Sequence, residues 1–535
     1  MDIVLIIPPR IQDDYGYTPA GPSALSGSLI DAGFMTKVID FNSRLDGIYE
    51  NEPNILASVE NFFMYYDFYN EGIFKEVEKY IIDCANEIIS YSPKWLGISV
   101  FSYNSHRATR LISIKVKELA PHISIVIGGG GIATDFKFPE MLKEQGIIDA
   151  YIRGEGELSV VALLQGKTEF SGLNGLPTEQ IDDIDSLPYP DYSDYDFVNY
   201  TNIKGLLAVP ITGSRGCVAH CSFCDIAKQW PKYRFRSGHS IAKEIKHYIQ
   251  TYGVNAFRFT DSLINGSMKA FTDMCKELTT IRNNLPENEK FTWDAHFIVR
   301  NERAMPAEIY DLMASAGAGT LLMGIESGSQ NVRDHMKKLF NEDDLEFTMK
   351  QISRVGVSCR MLMIVGYPTE TEEDFQETVD MFTKYQKYAH NGTIEHVNLG
   401  LTLNLLPGTP LDDNKDNNRI VKLNNHINDW ICLDNPTLTY KERLKRRIFL
   451  QKHINELGYV VFEEKNYRKQ LFSACLEIKK LKNTTNAPTT ILENLDFDFD
   501  SETGTLINND ISMSNNRNTI NEIDTKINLT TIHKS

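Results

Sequence analysis

The chain has 535 residues, 42% hydrophobic and 24% charged, a globular composition with room for two or three domains. Its formal net charge of −17 at pH 7 argues against broad binding to nucleic acid or anionic membranes, although a local basic patch stays compatible. No apolar run approaches the ~20 residues that span a bilayer, and residues 1–9 have the pattern of a strand rather than a signal peptide. We therefore predict a soluble, cytoplasmic protein in a reducing compartment, with peripheral membrane contact left open.

The first third of the chain alternates strand-like and helical patterns. Strand-like runs occupy residues 2–7, 36–40, 95–101, 123–127 and 150–152. Helical patterns, such as the one at 106–119, separate most of these runs. This alternation predicts an α/β fold with a parallel, doubly wound, Rossmann-like sheet, whose ligands lie beyond the carboxyl ends of the strands.

The predicted strand ends carry prolines, glycines and polar residues. They lie at residues 8–9, 99–103, 128–131 and 154–157. The four consecutive glycines would let a backbone pass close to a bulky ligand, but they also suit a tight turn between a strand and a helix. No G-x-G-x-x-G motif follows the first strand, so the sequence does not indicate a dinucleotide site.

Two segments interrupt this pattern. Residues 42–94 form an insertion with an aromatic cluster at 62–69, which is typical of local core or, alternatively, of a lid over a ligand. Residues 166–204, which contain several acidic residues and prolines, are interpreted as a linker that proline stiffens. The front domain is thus predicted to cover residues 1–165.

Three cysteines, Cys217, Cys221 and Cys224, lie on one short stretch at the spacing C-x3-C-x2-C. Three thiolates on one loop can hold three corners of a [4Fe-4S] cube and leave the fourth iron open to an exchangeable ligand. Zinc usually needs four ligands in paired spacings, and no second C-x2-C follows. A disulfide framework is not indicated, because the chain has 8 cysteines and no secretory signal. From spacing alone, a zinc knuckle or ordinary core cysteines remain the alternatives.

Residues 205–420 repeat a strand and helix pattern. Strand-like runs occupy residues 206–212, 256–260, 292–296, 320–323, 359–365 and 394–400. Six such βα units predict an open, partial parallel (βα)6 barrel with its chemistry at the carboxyl-end loops. Residues 421–482 have a helical pattern that could cap the barrel mouth. Residues 483–535, rich in Asn, Thr, Asp and Ser, are predicted to form a largely disordered tail.

The cysteine spacing, with the aromatic Phe223 before the last cysteine, resembles the signature of the radical S-adenosylmethionine (SAM) enzymes. The resemblance implies a [4Fe-4S] cluster on Cys217, Cys221 and Cys224, whose open iron binds SAM. Reduction of the cluster then cleaves SAM to a 5'-deoxyadenosyl radical. Several strand ends match the family, which implies SAM contacts from Phe223, Asp261, Ser262, Glu326, Ser327 and Gly366. For the two carboxylates in this set, an ordinary cap or turn is the alternative.

The front domain resembles the cobalamin-binding domain that precedes many radical SAM domains. The matching segments are the early Pro-Pro, Tyr17-Thr-Pro-Ala-Gly-Pro, Gly97-Ile-Ser-Val, Ile127-Gly-Gly-Gly and Arg153-Gly-Glu-Gly-Glu. The resemblance implies cobalamin contacts from Pro9, Tyr17, Ser99, Ser102, Tyr103, Gly128, Gly129, Gly130, Gly131, Gly154, Glu155 and Gly156. The D-x-H-x-x-G motif, whose histidine ligates cobalt from below in many cobalamin proteins, is missing, since the first histidine is His106. A domain that has kept the fold and lost the ligand is the alternative.

Together these resemblances imply a cobalamin-dependent radical SAM enzyme, most simply a methyltransferase that moves a methyl group from methylcobalamin to a substrate radical. A second hypothesis keeps the radical but ends in rearrangement, cyclisation or oxidation without methyl transfer. A third, from another class, is a non-catalytic cobalamin- or SAM-binding sensor, against which the intact cysteine loop argues. The expected partners are a small-molecule, lipid or peptide substrate and a reducing partner such as flavodoxin or ferredoxin. Nucleic acid and an integral membrane segment are not expected.

Overall fold

The computed structural model describes residues 1–9, 18–48, 53–64, 71–133, 137–200, 206–423 and 427–462, and a short antiparallel pair at 498–499 and 506–507. The predicted ligand Tyr17, residues 65–69 of the aromatic cluster and most of the predicted C-terminal tail lie outside the described residues. Within the described part of the chain, no helix is both long and apolar enough to cross a membrane.

The front domain is built on a five-stranded sheet. Its strands are β1 Ile3–Ile7, β2 Thr36–Asp40, β3 Trp95–Ser99, β4 Ser124–Gly128 and β5 Ala150–Ile152. All four pairings are parallel and the strand order is β2-β1-β3-β4-β5. The predicted parallel, doubly wound sheet is confirmed, with a switch point between β1 and β3 where such sheets bind their ligands.

Helices cover both faces of this sheet. They are α1 Ala20–Asp31, α2 Phe41–Ile48, α3 Pro53–Met64, α4 Glu71–Ser90, α5 His106–Leu119, α6 Gly130–Ala133, α7 Lys137–Glu144 and α8 Glu157–Leu164. Alternate residues of β1 enter two different cores, because successive side chains of a strand point to opposite faces. Val4 and Ile6 pack with the helices of the insertion, whereas Ile3 and Leu5 belong to a core that continues into the second half of the chain.

The second half contains a seven-stranded parallel sheet and two short antiparallel ribbons. Its strands are β6 Ala208–Ile211, β7 Ser214–Arg215, β8 Arg234–Phe235, β9 Ala256–Phe259, β10 Thr292–Phe297, β11 Ala318–Glu326, β12 Ser358–Met363, β13 Ile394–Asn398, β14 Ile420–Lys422, β15 Trp430–Cys432 and β16 Val461–Phe462. The large sheet has the order β16-β13-β12-β11-β10-β9-β6. The six predicted barrel strands are all present, and β16 adds a seventh strand that was not predicted.

Helices alternate with these strands, as a βα barrel requires. They are α9 Ile226–Gln229, α10 Gly238–Tyr252, α11 Met268–Asn283, α12 Ala307–Ser315, α13 Gln330–His335, α14 Glu342–Arg354, α15 Glu372–His390, α16 Pro410–Asp413 and α17 Tyr440–Glu456. Local sequence explains where α15 begins, because Thr371 and Asp374 form a capping box that satisfies free N–H groups of the first turn.

The predicted linker is packed rather than solvated. Tyr192 is fully buried in the core that joins the two halves, and its hydroxyl donates to the carbonyl of Pro210 at 2.8 Å. This contact ties the linker to β6, the strand that leads directly into the three cysteines. The front sheet and the barrel therefore share one continuous core.

Candidate active site

The cysteine loop, residues 213–225, follows the first barrel strand and begins at a short ribbon. In this ribbon β7 pairs with β8, which places Arg215 opposite Arg234. Gly216 turns the chain from β7 into the loop at φ +88°, and a Cβ there would lie 2.7 Å from the carbonyl oxygen of Lys232. Glycine is therefore required at this turn, both for its conformation and for its close approach to the segment that precedes β8.

Ser222 anchors the middle of the loop. Its N–H donates to the carbonyl of Met336 at 3.1 Å, and its own carbonyl accepts from the N–H of Leu411 at 2.7 Å. Its hydroxyl lies 2.8 Å from the hydroxyl of Tyr367, which donates to the carbonyl of His335 at 3.1 Å. Separate segments of the chain thus fix the backbone between the second and third cysteines.

The three cysteines of the loop are partly exposed free thiols. Burial raises the pKa of Cys221 and raises that of Cys224 to about 11, so metal binding would have to release protons from them. Among the described residues, no three His, Cys, Asp or Glu side chains are grouped to hold a metal ion. A [4Fe-4S] cube places each thiolate on a different iron and does not need three ligands on one ion.

Asp261 lies just beyond β9 and is 1% exposed. Its Oδ2 accepts a hydrogen bond from the N–H of Gly213 at 2.8 Å, which fixes the start of the cysteine loop. Burial raises the pKa of the Asp261 carboxyl to about 6. In the structure Asp261 therefore holds the loop that carries the cysteines, and its SAM contact stays a prediction.

Glu326 ends β11 in the left-handed conformation, φ +68°, where the register against β12 shifts. Such backbone strain at a non-glycine residue is frequent at functional sites. Its Oε1 accepts from Nζ of Lys338 at 2.9 Å, and the two side chains are 10% and 8% exposed. Burial alone would lower the pKa of Lys338, but Glu326 and, more weakly, Cys221 raise it. An ammonium group therefore lies beside the cysteine loop.

Lys338 was not predicted from the sequence. It follows α13, and the preceding Lys337, at φ +61°, turns the chain back toward the barrel. Its Nζ also donates to the carbonyl of Gly324 at 3.0 Å. A basic residue near Glu326 in the sequence was the only signal, and it is too common to have singled out this position.

The remaining predicted SAM residues have different surroundings. The ring of Phe223 has its centroid 5.6 Å from Nζ of Lys338. Ser327 is buried, and its hydroxyl accepts a hydrogen bond within its own turn. Gly366 has φ +82°, and a Cβ there would collide with the side chain of Arg443. Packing against Arg443 is therefore enough to explain a glycine at this position, independently of any SAM contact.

A cavity of about 810 Å³ lies between the carboxyl ends of the front sheet and the cysteine loop. The predicted cobalamin residues that line it are Ser99, Gly128, Gly129, Gly130, Gly154, Glu155 and Gly156. On the barrel side it is lined by residues that include Thr212, Ser214, Arg215, Gly216, Trp230, Thr260 and Ser262. Its volume is within the range of small-molecule and cofactor sites. The two sheets therefore turn their functional ends toward one shared space.

The other predicted cobalamin residues that are described do not line this cavity. Pro9 is buried just after β1, and Gly131 is buried beside Ser102. Tyr103 is 68% exposed. The cobalamin contacts that the resemblance implies for Pro9, Ser102, Tyr103 and Gly131 therefore stay predictions.

The glycine run serves the turn as well as the cavity. At Gly129, φ is +109° and a Cβ would lie 2.6 Å from the carbonyl oxygen of Val100. At Gly131, a Cβ would lie 2.8 Å from the carbonyl carbon of Ser102. Both glycines let the backbone after β4 press against the segment after β3. The tight turn is thus a sufficient reason for glycine at these two positions, and Gly129 lines the cavity together with Gly128 and Gly130.

A second cavity, of about 1330 Å³, lies on another side of the cysteine loop. It meets the loop at Ser222, and its wall includes Lys337 and Tyr367 together with residues of the chain after β13 such as Asn414 and Asn435. It shares no lining residue with the first cavity.

Residues 211–382 match the family model of the radical SAM superfamily. The matched region begins at the last residue of β6 and ends within α15, so it includes the cysteine loop, Asp261 and Glu326. The chain carries a radical SAM domain. The cysteine loop, β9 to β12 and the carboxylates of Asp261 and Glu326 lie inside the matched region, whereas β13 and β16 lie beyond it.

Relatives extend the similarity beyond the radical SAM domain. The anaerobic magnesium-protoporphyrin IX monomethyl ester cyclase of Rubrivivax gelatinosus is 28% identical over 317 residues, 55% of this chain and 55% of the relative. An uncharacterized methyltransferase of Pyrococcus horikoshii is 27% identical over 326 residues, 56% of this chain and 66% of the relative. The chain therefore spans between about half and two thirds of the length of these relatives.

A solved structure shares the architecture of both halves. The radical SAM methyltransferase TsrM from Kitasatospora setae, solved with cobalamin and a [4Fe-4S] cluster bound, matches with a TM-score of 0.58 at 18% identity. The match covers 83% of this chain and 82% of that chain. At this identity the likeness concerns the fold. The predicted order of a Rossmann-like front domain followed by a radical SAM barrel is confirmed.

Proposed function

We propose that this radical SAM enzyme uses cobalamin and methylates an unactivated carbon of its substrate. The observation that supports the proposal is the cavity that the carboxyl ends of the front sheet share with the flank of the cysteine loop. A cofactor in this cavity would lie next to a cluster on the loop. A substrate between them would be within reach of both, as radical formation followed by group transfer requires.

The donor set fits a [4Fe-4S] cluster. Cys217, Cys221 and Cys224 are soft sulfur ligands on one anchored loop, and their partial exposure leaves room for iron. When bound, the cluster supplies the electron that cleaves SAM to methionine and a 5'-deoxyadenosyl radical. Three thiolates concentrate negative charge, which the ammonium of Lys338 offsets. The proposed source of the electron is a reducing protein such as flavodoxin or ferredoxin.

The residues around the loop also fit SAM. Its carboxylate suits the ammonium of Lys338, and its amino group or ribose hydroxyls suit the carboxylate of Glu326. Ser262 lines the shared cavity and offers a hydroxyl at the end of β9. Asp261 would act one step away, by holding Gly213 and so the start of the loop.

The cavity wall fits a broad, flat cofactor. On the front-domain side, about half of the lining residues are glycine, alanine or serine, which leaves space for a macrocycle along that part of the wall. At Gly21, which lines the cavity, a Cβ would meet nothing within 4 Å. The described lining contains no histidine, in keeping with the missing D-x-H-x-x-G motif. When bound there, cobalamin would supply methyl-transfer chemistry.

A second candidate keeps the radical and omits methyl transfer. It is favoured by the similarity to the Rubrivivax cyclase, although that similarity covers 55% of each chain. Rearrangement, cyclisation or oxidation would need the same cysteine loop and the same SAM site. The two candidates differ in their products, because methyl transfer consumes SAM to S-adenosylhomocysteine as well as forming 5'-deoxyadenosine.

The test is an anaerobic assay of SAM turnover with dithionite, after reconstitution with iron and sulfide and with or without hydroxocobalamin. We expect the wild-type chain to form 5'-deoxyadenosine, and the triple variant Cys217→Ala/Cys221→Ala/Cys224→Ala to form none. Cys275→Ala, which alters a buried cysteine of α11, is the matched control and should retain activity. Unchanged 5'-deoxyadenosine in the triple variant would contradict radical SAM chemistry. S-Adenosylhomocysteine that depends on hydroxocobalamin supports methyl transfer, and its absence with an active substrate favours the second candidate.

A further inference from the structure

Glu155 joins the front domain to the ribbon that begins the cysteine loop. It lies in the segment between β5 and α8, which the resemblance assigns to cobalamin contacts. Its Oε2 accepts from Nη1 of Arg234 at 2.7 Å, and its Oε1 accepts from Arg215. One carboxylate therefore contacts both strands of the ribbon, since β7 carries Arg215 and β8 carries Arg234.

The contact is buried and close to electrically balanced. The side chains of Glu155 and Arg234 are 2% and 6% exposed, and that of Arg215 is 14% exposed. Glu157 binds the other nitrogen of Arg215, so two carboxylates face two guanidinium groups. Removing one carboxylate from such a set leaves a buried cation without its partner, which is far less favourable than losing an exposed pair.

The predicted linker also contacts the carboxylate of Glu155. The N–H of Ile181, in the predicted linker, donates to Oε2 of Glu155 at 2.6 Å. The carbonyl of Ile181 in turn accepts from Arg234. Front domain, linker and ribbon are thus held together at one side chain, and each of its carboxylate oxygens accepts a hydrogen bond from the protein.

The same segment faces the shared cavity. Glu155 and its two neighbours, Gly154 and Gly156, line the cavity together with Arg215 and Trp230. The ring of Trp230 has its centroid 5.9 Å from the guanidinium carbon of Arg215. Arg215 comes two residues before Cys217 in the chain. A shift of the segment would therefore move the ribbon and the first cysteine.

We propose that Glu155 is a positioning residue that holds the ribbon, and through it the cysteine loop, against the shared cavity. This role replaces the direct cofactor contact that the family resemblance implies for it. This role rests on the proposed function, because Glu155 would keep the cluster site and the cofactor site at a fixed distance from each other. The contacts that carry it, however, are between protein groups and can be tested without any cofactor.

The first experiment uses hydrogen–deuterium exchange of the full-length apoprotein. Glu155→Gln keeps the size of the side chain and removes its charge. We expect peptides spanning residues 213–225 to exchange at least about tenfold faster, with peptides of β1 and β3 unchanged. Glu87→Gln, which breaks the ion pair between Glu87 of α4 and Arg44 of α2 in the front domain, is the matched control and should leave the loop at the wild-type rate. Wild-type exchange of the loop in Glu155→Gln, or an equal rise in the front sheet, would overturn the proposal.

The second experiment separates positioning from cofactor contact. After reconstitution with iron and sulfide, Glu155→Gln should lose iron to a chelator at least about tenfold faster than wild type, while its Kd for hydroxocobalamin stays within about threefold. A Kd raised more than tenfold with unchanged loop exchange would identify Glu155 as a cofactor contact and overturn the proposal. If the wild-type chain bound neither cluster nor cobalamin, the proposed function would fail, but the exchange result would still decide the role of Glu155.

Discussion

The buried pair of Lys338 and Glu326 gives the sharpest stability prediction. Replacing Lys338 with Met keeps the length of the side chain but leaves the carboxylate of Glu326, 10% exposed, without its cation. Removing one member of a buried pair costs about 3–5 kcal/mol, and the lost hydrogen bond to Gly324 lies within that cost. Because both groups retain some exposure, we expect about 3 kcal/mol for Lys338→Met. The double variant Lys338→Met/Glu326→Gln carries no unpaired charge and should lose only about 1 kcal/mol.

These values imply a coupling energy of about 2 kcal/mol or more in a double-mutant cycle. The assay is urea unfolding of the apoprotein followed by pulse proteolysis at pH 7.5. Lys384→Met is the matched control, because Lys384 is 44% exposed in its pairs with Glu342 and Glu346 and should cost about 0–1 kcal/mol. A loss below 1 kcal/mol for Lys338→Met, or a double variant as unstable as the sum of the two single variants, would refute this description of the site.

Three further predictions follow from single residues. Burial raises the pKa of Asp261 to about 6 in the folded chain, so folding becomes less favourable as this carboxyl loses its proton. As pH rises from about 4 to about 7, the free energy of unfolding of the wild-type apoprotein should fall by up to about 3 kcal/mol relative to that of Asp261→Asn. Urea unfolding midpoints measure this difference, and parallel pH profiles of the two proteins would contradict it. Gly366→Ala should lower the free energy of unfolding by about 1–3 kcal/mol more than Gly392→Ala. Both glycines have positive φ, but only at Gly366 would the added Cβ collide with a buried side chain. Equal losses of stability in thermal or urea unfolding would contradict the packing explanation. Tyr103→Ala should leave the Kd for hydroxocobalamin within about twofold, because the exposed ring does not line the cavity; a tenfold weaker Kd would show that it closes over the ligand.

The sheet architecture was predictable because it follows from local pattern. The run of apolar residues in β1 is buried on both faces, which is typical of a parallel sheet covered by helices on each side. The cysteine spacing was equally informative, since ligand residues on one short loop stay close in any fold. By contrast, β16 has two residues and exists only through its pairing with β13. A strand of that length leaves no periodic signal in the sequence.

The partners of charged residues were not predictable. The family resemblance implies a cobalamin contact for Glu155, which stays a prediction, but it gives no sign of the ion pairs with Arg215 and Arg234, about sixty and eighty residues further along the chain. Lys338 was overlooked for the same reason, because its importance comes from its proximity to Glu326 and the cysteine thiols in the folded structure. Composition identifies such groups as charged but cannot say whether they face a ligand, solvent or each other.

The most direct test of the proposed function is the metal content of the wild-type chain after anaerobic reconstitution with iron, sulfide and hydroxocobalamin and removal of unbound material. The shared cavity predicts about one cobalt per chain, and the cysteine loop predicts about four irons with a cluster absorption band. Retention of both would support cobalamin-dependent radical chemistry. A cluster without retained cobalt would contradict the proposed cobalamin site and would favour the second candidate, a radical reaction without methyl transfer.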